Sequence, residues 1–238
     1  MTHSLPRVPV SRYARILRFS VRQILIALVL LLISRPFLLT TWGHWVDSIL
    51  FSFLLVSSLM TVGVGRIELA LSLTLILPAL CFRWISPLLS LSPNDPFPII
   101  CLTLALGLAI WQMLRFVLRT RQVNGDTLCA GISIYLLLAT IWTNFYLLIE
   151  HFVPGSFRFP GLTGHPAQLT PDEASYFSFC TITTAGYGDI IPSSPHARSL
   201  ATFESTVGVL YLAILIGRLV ALHLASQTLA ESTGKRSL

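Results

Sequence analysis

Residues Thr170 to Asp189 read TPDEASYFSFCTITTAGYGD, and the two halves of this stretch ask for different backbones. The first half carries the start signals of a short helix. Thr170 can cap free amides, Pro171 suits the first helical position, and Glu173 completes a capping box. Asp172 and Glu173 also complement the positive end of the helix dipole. The helix is expected over 171–182, too short to cross a bilayer, which takes about 20 residues. The second half, Thr183-Thr184-Ala185-Gly186-Tyr187-Gly188-Asp189, places glycines at alternate positions, where backbone angles that L side chains disfavour become accessible. A helix that stops short and then continues as irregular chain makes a re-entrant loop. Such a loop is tolerated at membrane depth only where it lines a cavity or is buried in protein.

Outward from the loop, the sequence is apolar enough to decide the solvent. The 238 residues are 54% hydrophobic and 11% charged, where soluble domains carry roughly 25% charge, and the mean hydropathy is +0.76. Charges that scarce cannot clothe a soluble surface. Six stretches approach the length of a membrane span: about 20–40, 46–64, 67–89, 97–118, 127–150 and 203–224. Arg35-Pro36 breaks the first, and Pro78 and Arg83 interrupt the third. The fold expected is all-α and multi-pass, with about six transmembrane helices and the re-entrant helix and loop between the fifth and sixth. Its parts are a cytoplasmic N-terminus (1–19), a four-helix membrane region (20–118), a cytoplasmic linker (119–126), a unit built around the loop (127–225) and a cytoplasmic tail (226–238). A Gly/Pro-rich turret, HFVPGSFRFPGLTGHPAQLT, leads from the fifth span into the loop.

The charges set an orientation. With the N-terminus inside, Arg7, Arg12, Arg15, Arg18, Arg22, Arg66, Arg115, Arg119, Arg121, Arg218, Lys235 and Arg236 face inward, against Arg35, Arg83, Arg158 and Arg198 outside. This positive-inside bias puts both termini in the cytoplasm. The net charge of +6 is spread between apolar runs rather than gathered into a patch, so it does not indicate nucleic acid. No small-residue cleavage site follows the basic start, which reads as a retained cytoplasmic segment. Cys81, Cys101, Cys129 and Cys180 have neither disulfide nor zinc spacing and are expected as buried free thiols. Asp126 follows an Asn-Gly turn and is a candidate cap for the fifth span.

The string Thr183 to Asp189, TTAGYGD, resembles the potassium-channel signature usually written TTVGYGD. The match extends from the fifth span to the end of the sixth and is similar to small bacterial channels with extra helices ahead of a two-helix pore unit. The resemblance implies a filter in which the carbonyls of Thr184, Ala185, Gly186 and Tyr187, with the Thr184 hydroxyl, replace the water shell of potassium. Gly186 and Gly188 would supply the backbone angles, and Thr183 and Asp189 would support the segment. Tyr187 would brace it against Tyr176 and Phe177. One strand offers a quarter of each ion site, so a homotetramer is implied. Ala185 departs from the usual Val or Ile, leaving less apolar packing behind the filter, with Ile182 or Phe179 as candidate fillers. Cys180 stands where some relatives carry a carboxylic acid, so Asp189 is expected to lack its usual partner.

Other residues carry two readings each. Gly208 lies 24 residues after Thr184, where the family has its hinge glycine, or serves as a small residue for helix packing. Glu204 is an intramembrane carboxylate, functional or a polar anchor behind the filter. Arg218 reads as an interfacial anchor. The fourth span has cations only at its inner end, Arg115, Arg119 and Arg121, so voltage sensing is not expected. His165 and His196 read as solvated loop residues near the outer mouth. The function expected is passive potassium conduction in the plasma membrane, the inner membrane if bacterial. The expected partners are membrane lipid, potassium ions and three further copies, without enzyme activity, cofactor or further metal. The rivals are a less selective cation channel, a potassium-uptake subunit, whose four degenerate pore loops in one long chain do not match the single full signature here, and a membrane scaffold or enzyme with no pore.

Overall fold

The computed structural model describes residues 12–34, 43–61, 66–85, 95–120, 124–160 and 168–235. The elements are α1 Arg12–Ser34, α2 Gly43–Thr61, α3 Arg66–Ile85, α4 Pro96–Arg119, α5 Gly125–Phe152, β1 Phe157–Arg158, α6 Pro171–Ile182, β2 Ile191–Pro192 and α7 Pro195–Lys235. The architecture is all-α, with one two-residue antiparallel ribbon among the described residues, pairing Phe157 with Pro192 and Arg158 with Ile191. α1 is described to Ser34, and the Arg35-Pro36 break lies outside the described residues. α4 opens on Pro96 behind Asp95, where the missing N–H loses nothing. α3 continues through Pro78.

By length and composition, three helices among the described residues are fit to cross a membrane: Pro96–Leu118, Gly125–Phe152 and Pro195–Leu222. Val21–Ser34, Ser48–Ser58 and Ala70–Ile85 are apolar but shorter. α7 outruns the apolar stretch 203–224 in both directions. It starts at Pro195, with Ser194 Oγ accepting the Ala197 N–H at 3.1 Å, and runs on to Lys235.

α1 packs on α2 and α5, α4 packs on α3 and α5, and α6 is wedged between α5 and α7. One apolar core joins Ile24 and Leu28 of α1, Leu54 of α2, Leu106 and Met113 of α4, and Ile134 and Leu137 of α5. A second surrounds α6, built from Trp142, Tyr146, Phe157, Leu169, Phe177 and Ile182. Large apolar side chains remain exposed along the helices, among them Ile33, Phe53, Trp111 and Ile214, as expected for surfaces solvated by lipid. For the same reason the thiols differ from expectation. All four cysteines are free, but none is fully buried and Cys81 is exposed, because an apolar run facing lipid is not an interior one. Asp126 also differs. Asn124 is the N-cap of α5, while Asp126 is buried and pairs with Arg22 of α1 at 2.7 Å, a full charge being a stronger partner than a free amide.

Candidate functional site

The site begins with the capping box of α6, which forms as its residues dictate. Thr170 Oγ1 accepts the Glu173 N–H at 3.3 Å, and Glu173 Oε2 accepts the Thr170 N–H at 2.8 Å. At the other end the chain folds back onto the last carbonyls. Thr183 N–H donates to Phe179 O at 3.2 Å, Thr184 N–H to Thr181 O at 3.0 Å, and Ala185 N–H to Cys180 O at 2.9 Å. The Ile182 carbonyl is taken by the phenol of Tyr135 on α5, at 3.0 Å.

From there the backbone alternates. Thr184, Gly186 and Gly188 have φ of 58°, 55° and 79°, whereas Ala185 and Tyr187 keep negative φ. Alternating left- and right-handed residues turn successive N–H groups toward one side and carbonyls toward the other. Glycine reaches these angles freely; Thr184 does so in a region that L residues sparsely populate. Every residue from Thr183 to Asp189 is exposed in the single chain, Tyr187 to 74%.

At the outer end, the rings of Tyr176 and Tyr187 stack with 6.3 Å between centroids and 8° between planes. A hydrogen bond to Asp189 raises the Tyr176 phenol above its ordinary value, and Asp189 Oδ1 also accepts the Ile190 N–H at 3.0 Å. Asp189 therefore has a partner despite Cys180, supplied by the tyrosine one turn earlier. Phe177 does not join this brace. It packs edge-on to Tyr146 and Phe157, 4.9 and 5.3 Å away, since consecutive helical residues point about 100° apart.

Behind α6, Glu204 of α7 is fully buried. Its Oε1 accepts from Ser178 Oγ at 2.6 Å, and its Oε2 accepts from the Tyr146 phenol. Ser178 Oγ also lies 2.8 Å from Ala139 O. One cluster thus ties α5, α6 and α7 together. Gly208 lies against the end of α6: a Cβ there would sit 2.5 Å from Ile182 O and 2.7 Å from its Cγ1. That close approach accounts for the missing side chain. Ile182 is buried in this contact, and Ala185 stands exposed. Near the far end of α7, Arg218 Nη2 donates to the carbonyls at the end of α4, Val117 at 2.8 Å and Leu118 at 2.7 Å, with Thr120 at 3.1 Å. Arg115 lies over the Trp111 ring at 4.8 Å. His196 lines an apolar groove of about 550 Å³ between α5 and α7, with Phe145, Phe152 and Phe203. His165 and Arg121 lie outside the described residues.

Sequence reasoning missed the partners. Glu150 is buried and accepts the N–H groups of Gly155 and Ser156 at 2.9 and 3.1 Å, holding the turn ahead of β1. Tyr135, Tyr146 and Ser178 were also passed over. A signal existed, for Tyr135, Ala139, Trp142, Tyr146 and Glu150 recur at helical spacing on α5 and mark the face toward α6.

The family model described as "Ion channel" matches residues 127–223. These residues are therefore similar to ion channels. A stretch of 55 residues is 40% identical to "Two-pore potassium channel 4" of Arabidopsis thaliana, covering 23% of this chain and 19% of that protein. Another of 92 residues is 35% identical to "Inward rectifier potassium channel Kirbac3.1" of Paramagnetospirillum magnetotacticum, covering 37% of this chain and 26% of that protein. The chain thus spans a quarter or less of the length of the first of these relatives and about a quarter of the second. No solved structure matches significantly. The matched residues 127–223 contain α6, the alternating segment and Glu204, whereas α1–α4 lie outside the match.

Proposed function

We propose that this protein is a potassium-selective channel subunit that conducts passively across a plasma membrane, or an inner membrane if bacterial. The observation that carries this reading is the alternation of φ at Thr184, Gly186 and Gly188. It gives one run of chain consecutive carbonyls on one side, and dehydrated potassium needs such oxygens. The ion sites are the carbonyls of Thr184, Ala185, Gly186 and Tyr187 with the Thr184 hydroxyl, while Gly188, Thr183 and Asp189 hold the segment's shape. Because this run is exposed along its length and supplies one wall of a pore, four copies close the site as a homotetramer. Both curated relatives are potassium channels by name, which favours this ion.

No cofactor or nucleic acid enters the mechanism; lipid and the permeant ion are the partners, and both termini are cytoplasmic. Gating by voltage is not part of the reading. The run preceding Arg115 in α4 is uncharged, and each charge crossing the field is worth about 2.3 kcal/mol per 100 mV. In liposomes loaded with potassium, the purified protein should carry potassium flux and hardly any sodium flux, and barium should block it. Equal flux of the two ions would replace this reading with a non-selective cation channel. A detergent complex with the mass of one chain would remove the pore altogether.

A further inference from the structure

The carbonyls of α6 are accounted for by the chain that follows it, with one exception. Phe179, Cys180 and Thr181 receive N–H groups from residues 183–186. Ile182 O, the last carbonyl before the alternating segment, depends on a side chain 47 residues away, the phenol of Tyr135. It is enclosed on another side by α7, where Gly208 leaves no room for even a methyl group. Tyr135 is itself held. Its ring stacks on Tyr211 of α7 at 6.0 Å and 21°, and the Tyr211 phenol donates to Gly131 O at 2.7 Å, one turn before Tyr135 on α5. Two tyrosines thus bridge α5 and α7, and one of them fixes the peptide plane from which Thr183 and Thr184 depart.

We infer that Tyr135 is a positioning residue for the innermost ion site, and that Tyr211 makes its hold depend on where α7 stands. The chemistry is that of a carbonyl at a helix end, which lacks an intrahelical partner and turns freely unless something else accepts that role. Lost at Ile182, that constraint leaves the 182–183 peptide held only by the Thr183 N–H bond to Phe179 O, and the Thr184 oxygens shift as it tilts. This inference rests on the channel reading above, so its test needs a measurement that does not depend on conduction.

Tyr135→Phe removes the donor and keeps the ring. In the full-length protein in liposomes it should lower the potassium-to-sodium permeability ratio by about tenfold, the scale of one hydrogen bond. Amide exchange at Thr183–Gly186, read by mass spectrometry, should accelerate by a similar factor. Tyr211→Phe, which keeps the stack and releases only Gly131, should shift both in the same direction by less. Replacing Tyr135 with 3-fluorotyrosine, which retains the donor, should restore both. Thr140→Val removes a hydroxyl bonded within its own helix and should change neither. An unaltered permeability ratio in Tyr135→Phe, with or without faster exchange, would overturn the inference while leaving the channel intact. If the native protein carries no selective flux, the channel reading falls, and unchanged exchange in Tyr135→Phe would then overturn the positioning role independently.

Discussion

The two halves of this molecule are held by different forces. From α5 onward, several buried or half-buried polar groups find partners on other elements: Glu204 with Ser178 and Tyr146, Tyr135 with Ile182, Tyr211 with Gly131, Glu150 with the turn at Gly155. In α1–α4 the core is Ile, Leu, Val, Ala and Met, and the hydroxyls of Ser52, Thr74 and Thr103 return to carbonyls of their own helix. A cross-helix bond from Trp84 to Ser52 is present as well. Apolar packing tolerates rearrangement, whereas a hydrogen bond in a low-dielectric interior specifies one geometry and is costly to leave unmade. The half that shapes a row of carbonyls is the half specified by directional contacts.

Matched substitutions can sharpen or break that contrast. The largest effect is expected from Gly208→Ala, because the new methyl meets a backbone carbonyl that cannot step aside. Overpacking of this kind costs about 1 to 3 kcal/mol per subunit, seen as a lowered thermal midpoint and loss of the detergent-stable assembly. Glu204→Leu comes next. It leaves the Tyr146 phenol buried without its acceptor, a loss of about 1 to 2 kcal/mol in denaturation, while Ser178 keeps Ala139 O. Arg218→Gln removes a cation from the end of α4, worth about 1 kcal/mol, and should speed tryptic cleavage at Arg119 and Arg121. At the bottom lies Gly107→Ala in α4, where nothing stands within 4 Å of the new Cβ. There the helix should gain about 0.5 to 1 kcal/mol, and a large destabilisation would erase the contrast.

How much of this was legible depended on how far apart the interacting residues lie. The start of α6 was plain, because Thr170, Pro171 and Glu173 act within one turn. The start of α7 was placed late, since Ser194-Pro195 precedes the apolar run rather than opening it. Asp126 read as a cap because its partner, Arg22, stands 104 residues away. Glu204 was singled out as an intramembrane carboxylate, but its partners lie 26 and 58 residues off and no local pattern names them. Phe177 and Tyr176 were both turned toward Tyr187, which the 100° step of a helix forbids. The alternation at Thr184, Gly186 and Gly188 was half legible: the glycines announce their angles, and the positive φ at Thr184 has no residue type to reveal it.

The central claim is that this alternation builds a potassium-selective path, and the reversal potential tests it most directly. Purified native protein in planar bilayers, with potassium on one side and sodium on the other, should reverse close to the potassium limit. Gly186→Ala places a methyl on a backbone at φ 55° and should abolish that selective current while the protein still inserts. A native reversal potential near zero would contradict the account, as would a Gly186→Ala channel that selects potassium as well as the native one.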